Sequence, residues 1–375
     1  MRFREIFSSD PVNTGRQFEL DFGKAIPVLC LPFVHCFIEC TSPEGLDHGI
    51  PFLFDYVIGS PISAPMFMFC MGVGIAYTKK NSASALAKRA GKLFLIGLLL
   101  NVFRFLIPYL AGYGITGEAG KYLEPLVYRV FGNDILQFAS LCLLCIALFV
   151  KLKVPDSLML LLSFGVSLIG WGCNDVDLKN NAANIILGHL IGTEDAAGFV
   201  VSDFPLLNWM IVPVAGYVFG KLLLRVRDKD AFYTRTFAIP LVLSVSFLIF
   251  EYYIGIGMNR PGGENTYYHA TTYDVLAFIA LTVGLFGVYH FFWKILPEKI
   301  GKFLIGVSRG ITSIYCIHWV FVTWITNVLL YVIRGTQELP VWQTLLLSFA
   351  ILVVTLILSQ LWRKFKKGKT KNEKA

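Results

Sequence analysis

Apolar runs of about twenty residues recur along this chain, and they leave few folds open. A run of that length, coiled as a helix, matches the hydrocarbon thickness of a bilayer. The runs are 24–42, 52–77, 91–112, 135–151, 156–173, 204–224, 235–256, 271–293, 306–333 and 341–362. Inside lipid, every backbone N–H and C=O must find a partner within the protein, so each run reads as a helix. The expected fold is all-α: a polytopic transmembrane helical bundle of about ten spans. Only 15% of the 375 residues are charged, against about a quarter in soluble domains. The chain therefore reads as one integral-membrane domain over 1–375, with spans over about 24–362 and a basic tail over 363–375.

The net charge of +8 is read as a topology signal. With the N-terminus inside, the inner segments hold 26 of the 33 Lys and Arg, while the outer loops hold five: Lys121, Arg129, Lys179, Arg260 and Arg334. Arg104 and Arg309 fall within spans. Basic residues are retained on the cytoplasmic side, so both termini are expected there. The basic residues are spread over alternate loops and do not form one patch, so nucleic acid is not an expected partner. The lipid bilayer is, and the tail RKFKKGKTKNEKA suits its anionic lipids. The opening MRFREIFSSDPVNTGRQFELDFGK lacks a short apolar core with a cleavage site, so no removable signal is expected. The eight cysteines give neither a metal pattern nor a disulfide framework. Cys142 and Cys145 form a CxxC, but inside the apolar LCLLCIALF, where soft side chains pack.

Ionisable residues within spans are costly and usually functional. His35 lies eleven residues past Lys24, roughly 16 Å at helical rise. His318 lies roughly 19 Å past Gly306, and Arg104 roughly 18 Å past Lys92. The three share a depth, so they could converge on one buried cavity; depth alone does not fix which way they face. Imidazole accepts and returns a proton near neutral pH. It could act as base toward an acceptor hydroxyl or amine, or carry an acyl group itself. Arg104 could steady a developing oxyanion or form a structural ion pair. Asp55, Glu251 and Asp274 read as interface residues.

The two ends of the bundle differ. The cytoplasmic loop TKKNSASALAKRAGK carries Lys79, Lys80, Lys88, Arg89 and Lys92, charge that would suit the phosphates of coenzyme A. Three outer segments are long. Residues 113–134 carry Glu118, Glu124 and Asp134. Residues 174–203 carry Asp175, Asp177, His189, Glu194, Asp195 and Asp203 around an apolar middle, NAANIILGHLIG, which is too short to span. Residues 257–270 carry Tyr267, Tyr268 and His269. Acids, aromatics and amides there suit a sugar-like acceptor. No internal repeat is visible, which argues against transporter folds built from duplicated halves. A transporter or flippase without chemistry remains the competing class.

Several segments, in order, resemble the polytopic membrane acyltransferases, a group that includes acyltransferase family 3 and the heparan-alpha-glucosaminide N-acetyltransferase-like proteins. Arg16-Gln-Phe-Glu-Leu-Asp21-Phe-Gly-Lys24 resembles the opening motif, and Lys24 to His35 matches the arginine-to-histidine spacing of its first helix. Ser63-Ala-Pro65 through Gly72, Lys88-Arg89 through Gly97, Asp134-Ile-Leu-Gln137, Phe204-Pro-Leu-Leu-Asn-Trp209 through Gly220, and Gly306 through Ser313, Tyr315 and His318 resemble later signatures. Lys24 departs from the expected arginine and offers a point charge without a bidentate fork. The resemblance implies transfer of an acyl group, often acetyl, from cytoplasmic acyl-CoA to a glycan or lipid-linked sugar. It implies His35, His318 and Arg104 as catalytic candidates. Lys24, Lys88, Arg89 and Lys92 become donor-binding candidates. Trp209, Asp203, Tyr268 and Gln137 become acceptor-binding candidates. The expected donor is acetyl-CoA or another acyl-CoA, without a metal. The expected location is a bacterial plasma membrane, and a homo-oligomer is compatible with the sequence.

Overall fold

The computed structural model describes residues 3–194, 202–254 and 267–372. Asp195, Arg260 and the stretch 257–266 of the third outer segment therefore lie outside the described residues. Apolar helices follow one another in the expected order. They are α1 (Phe18–Cys40), α2 (Gly49–Tyr77), α3 (Ala83–Thr116), α4 (Ile135–Lys151), α5 (Asp156–Gly172), α6 (Leu206–Leu223), α7 (Lys229–Ile254), α8 (Thr272–Ile295), α9 (Ile311–Arg334) and α10 (Val341–Lys366). Among the described residues, eight of these are long and apolar enough to cross a membrane, while α4 and α5 are shorter. No strand forms among the described residues; three isolated bridges tie loops together.

Several boundaries differ from the sequence reading: α1, α3 and α7 begin earlier, at Phe18, Ala83 and Lys229, and two differences change the architecture. The ninth apolar run begins at 306, but the chain breaks at Gly310. Before the break lies a separate helix, Glu298–Arg309, with Lys299, Lys302 and Arg309 among its polar positions. The tenth helix does not stop at 362. It continues through the basic tail to Asn372. The apolar middle of the second outer segment forms a short helix, Asn181–Leu187, capped by the Asn180 side chain.

Helix α1 is the hub, packing against α2, α8, α9, α10 and the helix 298–309. The closest crossing is between α2 and α6. A methyl group on Gly72 would overlap the Pro213 carbonyl oxygen, and one on Gly216 would overlap the Phe69 carbonyl oxygen. Glycines there let two backbones touch, the usual device where lipid removes the hydrophobic drive between helices. Helices α7 and α10 keep many apolar side chains exposed, among them Ile239, Val242, Leu346 and Phe349, as lipid-facing helices would.

Among the described residues, three helices contain wide, π-type turns: Leu53–Ser63 in α2, Val102–Leu106 in α3 and Trp324–Leu330 in α9. Proline accounts for the first two, because it lacks the N–H that an α-turn would use. Pro61 lies inside the first, and Pro108 follows the second. In α2 the Ser60 and Ser63 hydroxyls donate to carbonyls five residues back, on Asp55 and Ile58, at 3.1 and 2.9 Å. Such turns are rare and recur at functional sites.

Candidate functional site

A cavity of about 420 Å³ lies among α1, α2, α4 and α9, closed over by residues 44–47, 203–204 and 267–268. On α1 it is lined by Leu31, Val34, His35 and Ile38, whose spacing puts all four on one helical face. On α2 it is lined by Asp55, Tyr56, Gly59, Ser60 and Ser63 of the wide-turn segment and by Ala64 and Phe67 just beyond it. Asp134, Tyr315 and Trp319 complete the deeper wall.

His35 stacks on His318 and lies tilted against Trp319. Its ring centre is 3.7 Å from that of Trp319 and 5.4 Å from that of His318. His318 is fully buried, one layer behind the lining. Its Nδ1 lies 3.1 Å from the Ile314 carbonyl oxygen. A carbonyl only accepts, so Nδ1 carries the hydrogen, and Nε2 keeps the lone pair. That Nε2 is buried without a hydrogen-bond partner among the described residues.

Arg104 reaches the same wall from the wide turn of α3. Its guanidinium lies 3.2 Å from the Trp319 ring centre and donates to Asp134 Oδ2 at 2.7 Å. Asp134 also accepts from the Tyr315 hydroxyl at 3.2 Å and, as the N-cap of α4, from the Ile135 N–H at 2.6 Å. One carboxylate therefore ties together α3, α4 and α9. Arg104 thus forms an ion pair and a ring stack behind the cavity, and it does not line it. The three ionisable groups do meet, with Trp319 at their centre.

The other candidates separate by position. Asp203 lines the cavity, with its backbone N–H bonded to Asn133. Burial, and then the charge of Asp134, push its carboxyl up to about 6 against the pull of Arg129 and Arg104. Tyr268 also lines the cavity, and burial pushes its phenol well up, so it stays a donor. Trp209 does not reach the cavity. It is fully buried, stacks on Phe278 and donates its indole N–H to the Tyr268 carbonyl at 2.7 Å, holding that loop in place. Gln137 does not reach it either. It is buried against Gly97 at the α3–α4 contact.

Lys24 sits below the cavity on α1, 4.0 Å from Asp21. Asp21 is gripped by Arg16 at 2.5 and 2.9 Å and by the Ser308 hydroxyl at 2.6 Å. Lys88, Arg89 and Lys92 are exposed on the first turns of α3, and none lines the cavity. One trio, Asp175, Glu194 and His269, has ligand-type atoms within 4.8 Å of one another. Both His269 nitrogens are engaged, Nδ1 by Asp175 at 2.6 Å and Nε2 by the Ser202 carbonyl at 3.1 Å. The trio thus acts as a clasp between two outer loops.

Sequence reasoning missed Trp319, Tyr56 and Ser60. Trp319 follows His318 directly, and that adjacency was the available signal. Comparison with known families then decides the class. The sequence profile of the acyltransferase domain family matches residues 17–361. The chain belongs to acyltransferase family 3. No curated protein is detectably similar to it. The protein is accordingly a multi-pass membrane member of an acyltransferase family.

Proposed function

We propose that this acyltransferase moves an acyl group, acetyl in the simplest case, from cytoplasmic acyl-CoA to a hydroxyl or amine of a glycan or lipid-linked sugar. One observation carries the reading: the helix-one histidine faces a cavity large enough for a sugar unit, lined by aromatics and acids. His35 would take the acceptor's proton as its oxygen or nitrogen attacks the thioester carbonyl. The carbon–sulfur bond then breaks, and the imidazolium returns the proton to the departing thiolate. The alternative order has His35 attack first and carry the acyl group. Lys24, with Lys88, Arg89 and Lys92 at the start of α3, would hold the donor's phosphates at the cytoplasmic mouth. Asp203 and Tyr268 would bind the acceptor, with Trp209 supporting Tyr268.

The test is donor consumption. Purified protein supplied with acetyl-CoA and a glycoside should release free thiol in proportion to acylated glycoside. Transport of glycoside across vesicles with no thiol release would defeat the reading.

The same reading puts all ten helices across a bacterial plasma membrane, both termini in the cytoplasm, in accord with the 26-to-5 partition of basic residues. Fusion reporters at Gly45, Gly117, Asn180 and Gly335 should all report the outer side. Two cytoplasmic results among them would end the ten-span arrangement.

A further inference from the structure

Helices α7 and α8 run antiparallel, and two close contacts fix their register. A methyl group on Gly284 would overlap Leu241, and one on Gly287 would overlap Phe237. Ten residues onward from Leu241 stands Glu251, and ten residues back from Gly284 stands Asp274. The same register therefore sets the two acids opposite each other, and their carboxyl groups lie within hydrogen-bonding reach. Both are buried, Glu251 at 0% exposure and Asp274 at 1%. Over Ala238–Ile254 the buried side chains are Ser244 and Glu251, so an acid is the inward anchor at the far end of α7. Asp274 Oδ2 accepts the Thr271 N–H at 2.9 Å and the Thr271 hydroxyl at 2.7 Å, which closes a capping box at the start of α8. Asp274 Oδ1 and both Glu251 oxygens have no donor among the described residues. The other titratable groups packed around the pair, among those residues, are phenols. Tyr273 of α8 meets Phe247 of α7 at 5.9 Å and Trp171 of α5 at 5.5 Å. Tyr252 of α7 meets Phe52 of α2 at 5.6 Å, and Tyr56 stacks on Phe52. Asp55 of α2 is turned into the cavity. Two facing carboxylates buried at membrane depth cannot both hold charge. Asp274 keeps the charge, because it already takes two donors at the positive end of a helix.

We infer that Glu251 is a positioning residue for the cover of the cavity: held as a neutral acid, it donates its O–H to Asp274 Oδ1 and so locks the start of α8. That start lies three residues after Tyr268. Residues 268, 269 and 270 are strapped through their carbonyls, by Trp209 at 2.7 Å, Asn174 at 2.6 Å and Asn208 at 3.1 Å. Thr271 and Asp274 make the last strap, and Glu251 is the part of it that a proton controls. Tyr267 and Tyr268 line the cavity, so loss of that proton loosens the aromatic cover and leaves His35 where it is. The inference rests on the proposed function only in taking this cavity as the place of reaction.

Glu251→Gln and Glu251→Ala test this in the full-length protein in detergent. An infrared difference spectrum of wild type against Glu251→Gln at neutral pH should show one carboxylic-acid C=O band that only wild type has. The wild-type melting midpoint should fall as pH rises from neutral to alkaline, because ionising Glu251 sets two carboxylates face to face. Gln donates an N–H in place of the O–H and cannot ionise. Glu251→Gln should therefore melt like wild type at neutral pH and lose less at alkaline pH. Glu251→Ala has no donor and should melt lower. With acetyl-CoA and methyl glucoside, its thiol release should show the glucoside KM raised about threefold or more and kcat held within about twofold. Glu251→Gln should restore the wild-type KM. If Glu251→Ala fails to fold, the infrared band and the pH profile of Glu251→Gln still decide. Absence of the acid band, an equal alkaline fall in Glu251→Gln, or a midpoint that follows sodium concentration in place of pH would overturn the inference. The two readings fail separately. Thiol release without the acid band keeps the acyltransferase and removes the proton, and the band without thiol release does the reverse.

Discussion

His35→Ala is expected to lower acyl turnover by about 10²-fold or more, the usual scale for losing a general base, while the folded yield holds. The reason for the split lies in where the ring sits. His35 is only half-buried and faces an existing cavity, so its removal enlarges a space that is already there and opens no void in packed protein. What disappears is the imidazole beside Trp319 and His318. Turnover should be expressed per folded molecule, with gel filtration and a melting curve on the same sample. Wild-type turnover in the variant would remove His35 from the mechanism.

Asp134→Ala should produce the largest loss of stability of any single change at this site, about 3–5 kcal/mol. That is the usual cost of leaving one member of a buried ion pair without its partner. Both side chains are largely shielded, at 7% exposure for Arg104 and 13% for Asp134. The same change removes the N-cap of α4 and the acceptor for the Tyr315 hydroxyl. A double variant, Arg104→Met with Asp134→Asn, removes the stranded charge and retains a capping side chain, so it should recover most of the melting midpoint. Its turnover then separates structure from chemistry. A stable but inactive double variant would mean that Arg104 or Asp134 serves the reaction as well as the fold. An unchanged melting midpoint in Asp134→Ala would show that this pair does not hold α3, α4 and α9 together.

The positions of the apolar helices were readable because lipid imposes a length and an internal hydrogen-bonding rule on every span. The break at Gly310 was not, because apolar residues continue across it and only the polar positions of 298–309 mark a separate helix. Depth was legible too: counting along helices brought His35, His318 and Arg104 to one level, and their contacts meet at Trp319. Facing was not legible. Rise per residue fixes how deep a side chain lies, whereas packing decides which way it points. That is why Trp209 and Gln137, at plausible positions in their helices, turned out to be buried away from the cavity. The Arg104 partner was hidden for a related reason. Asp134 lies just before its span, so it read as a loop acid, yet as an N-cap it is held at the helix mouth where Arg104 can reach it.

The wide turn of α2 makes the cavity wall depend on residue count as well as residue type. Leu53–Ser63 accommodates its backbone at more than 3.6 residues per turn, and the five lining positions within this segment follow that spacing. Loss of one residue from the segment, with Ala64–Tyr77 anchored on α6, would turn everything before the gap by somewhat less than the roughly 100° per residue of a regular α-helix. Asp55 and Tyr56 would then look toward lipid or a neighbouring helix, with their chemistry unchanged and their address lost. Between two chains of this kind, a one-residue gap in this stretch thus carries more meaning than several substitutions, because it decides which side chains the substrate meets.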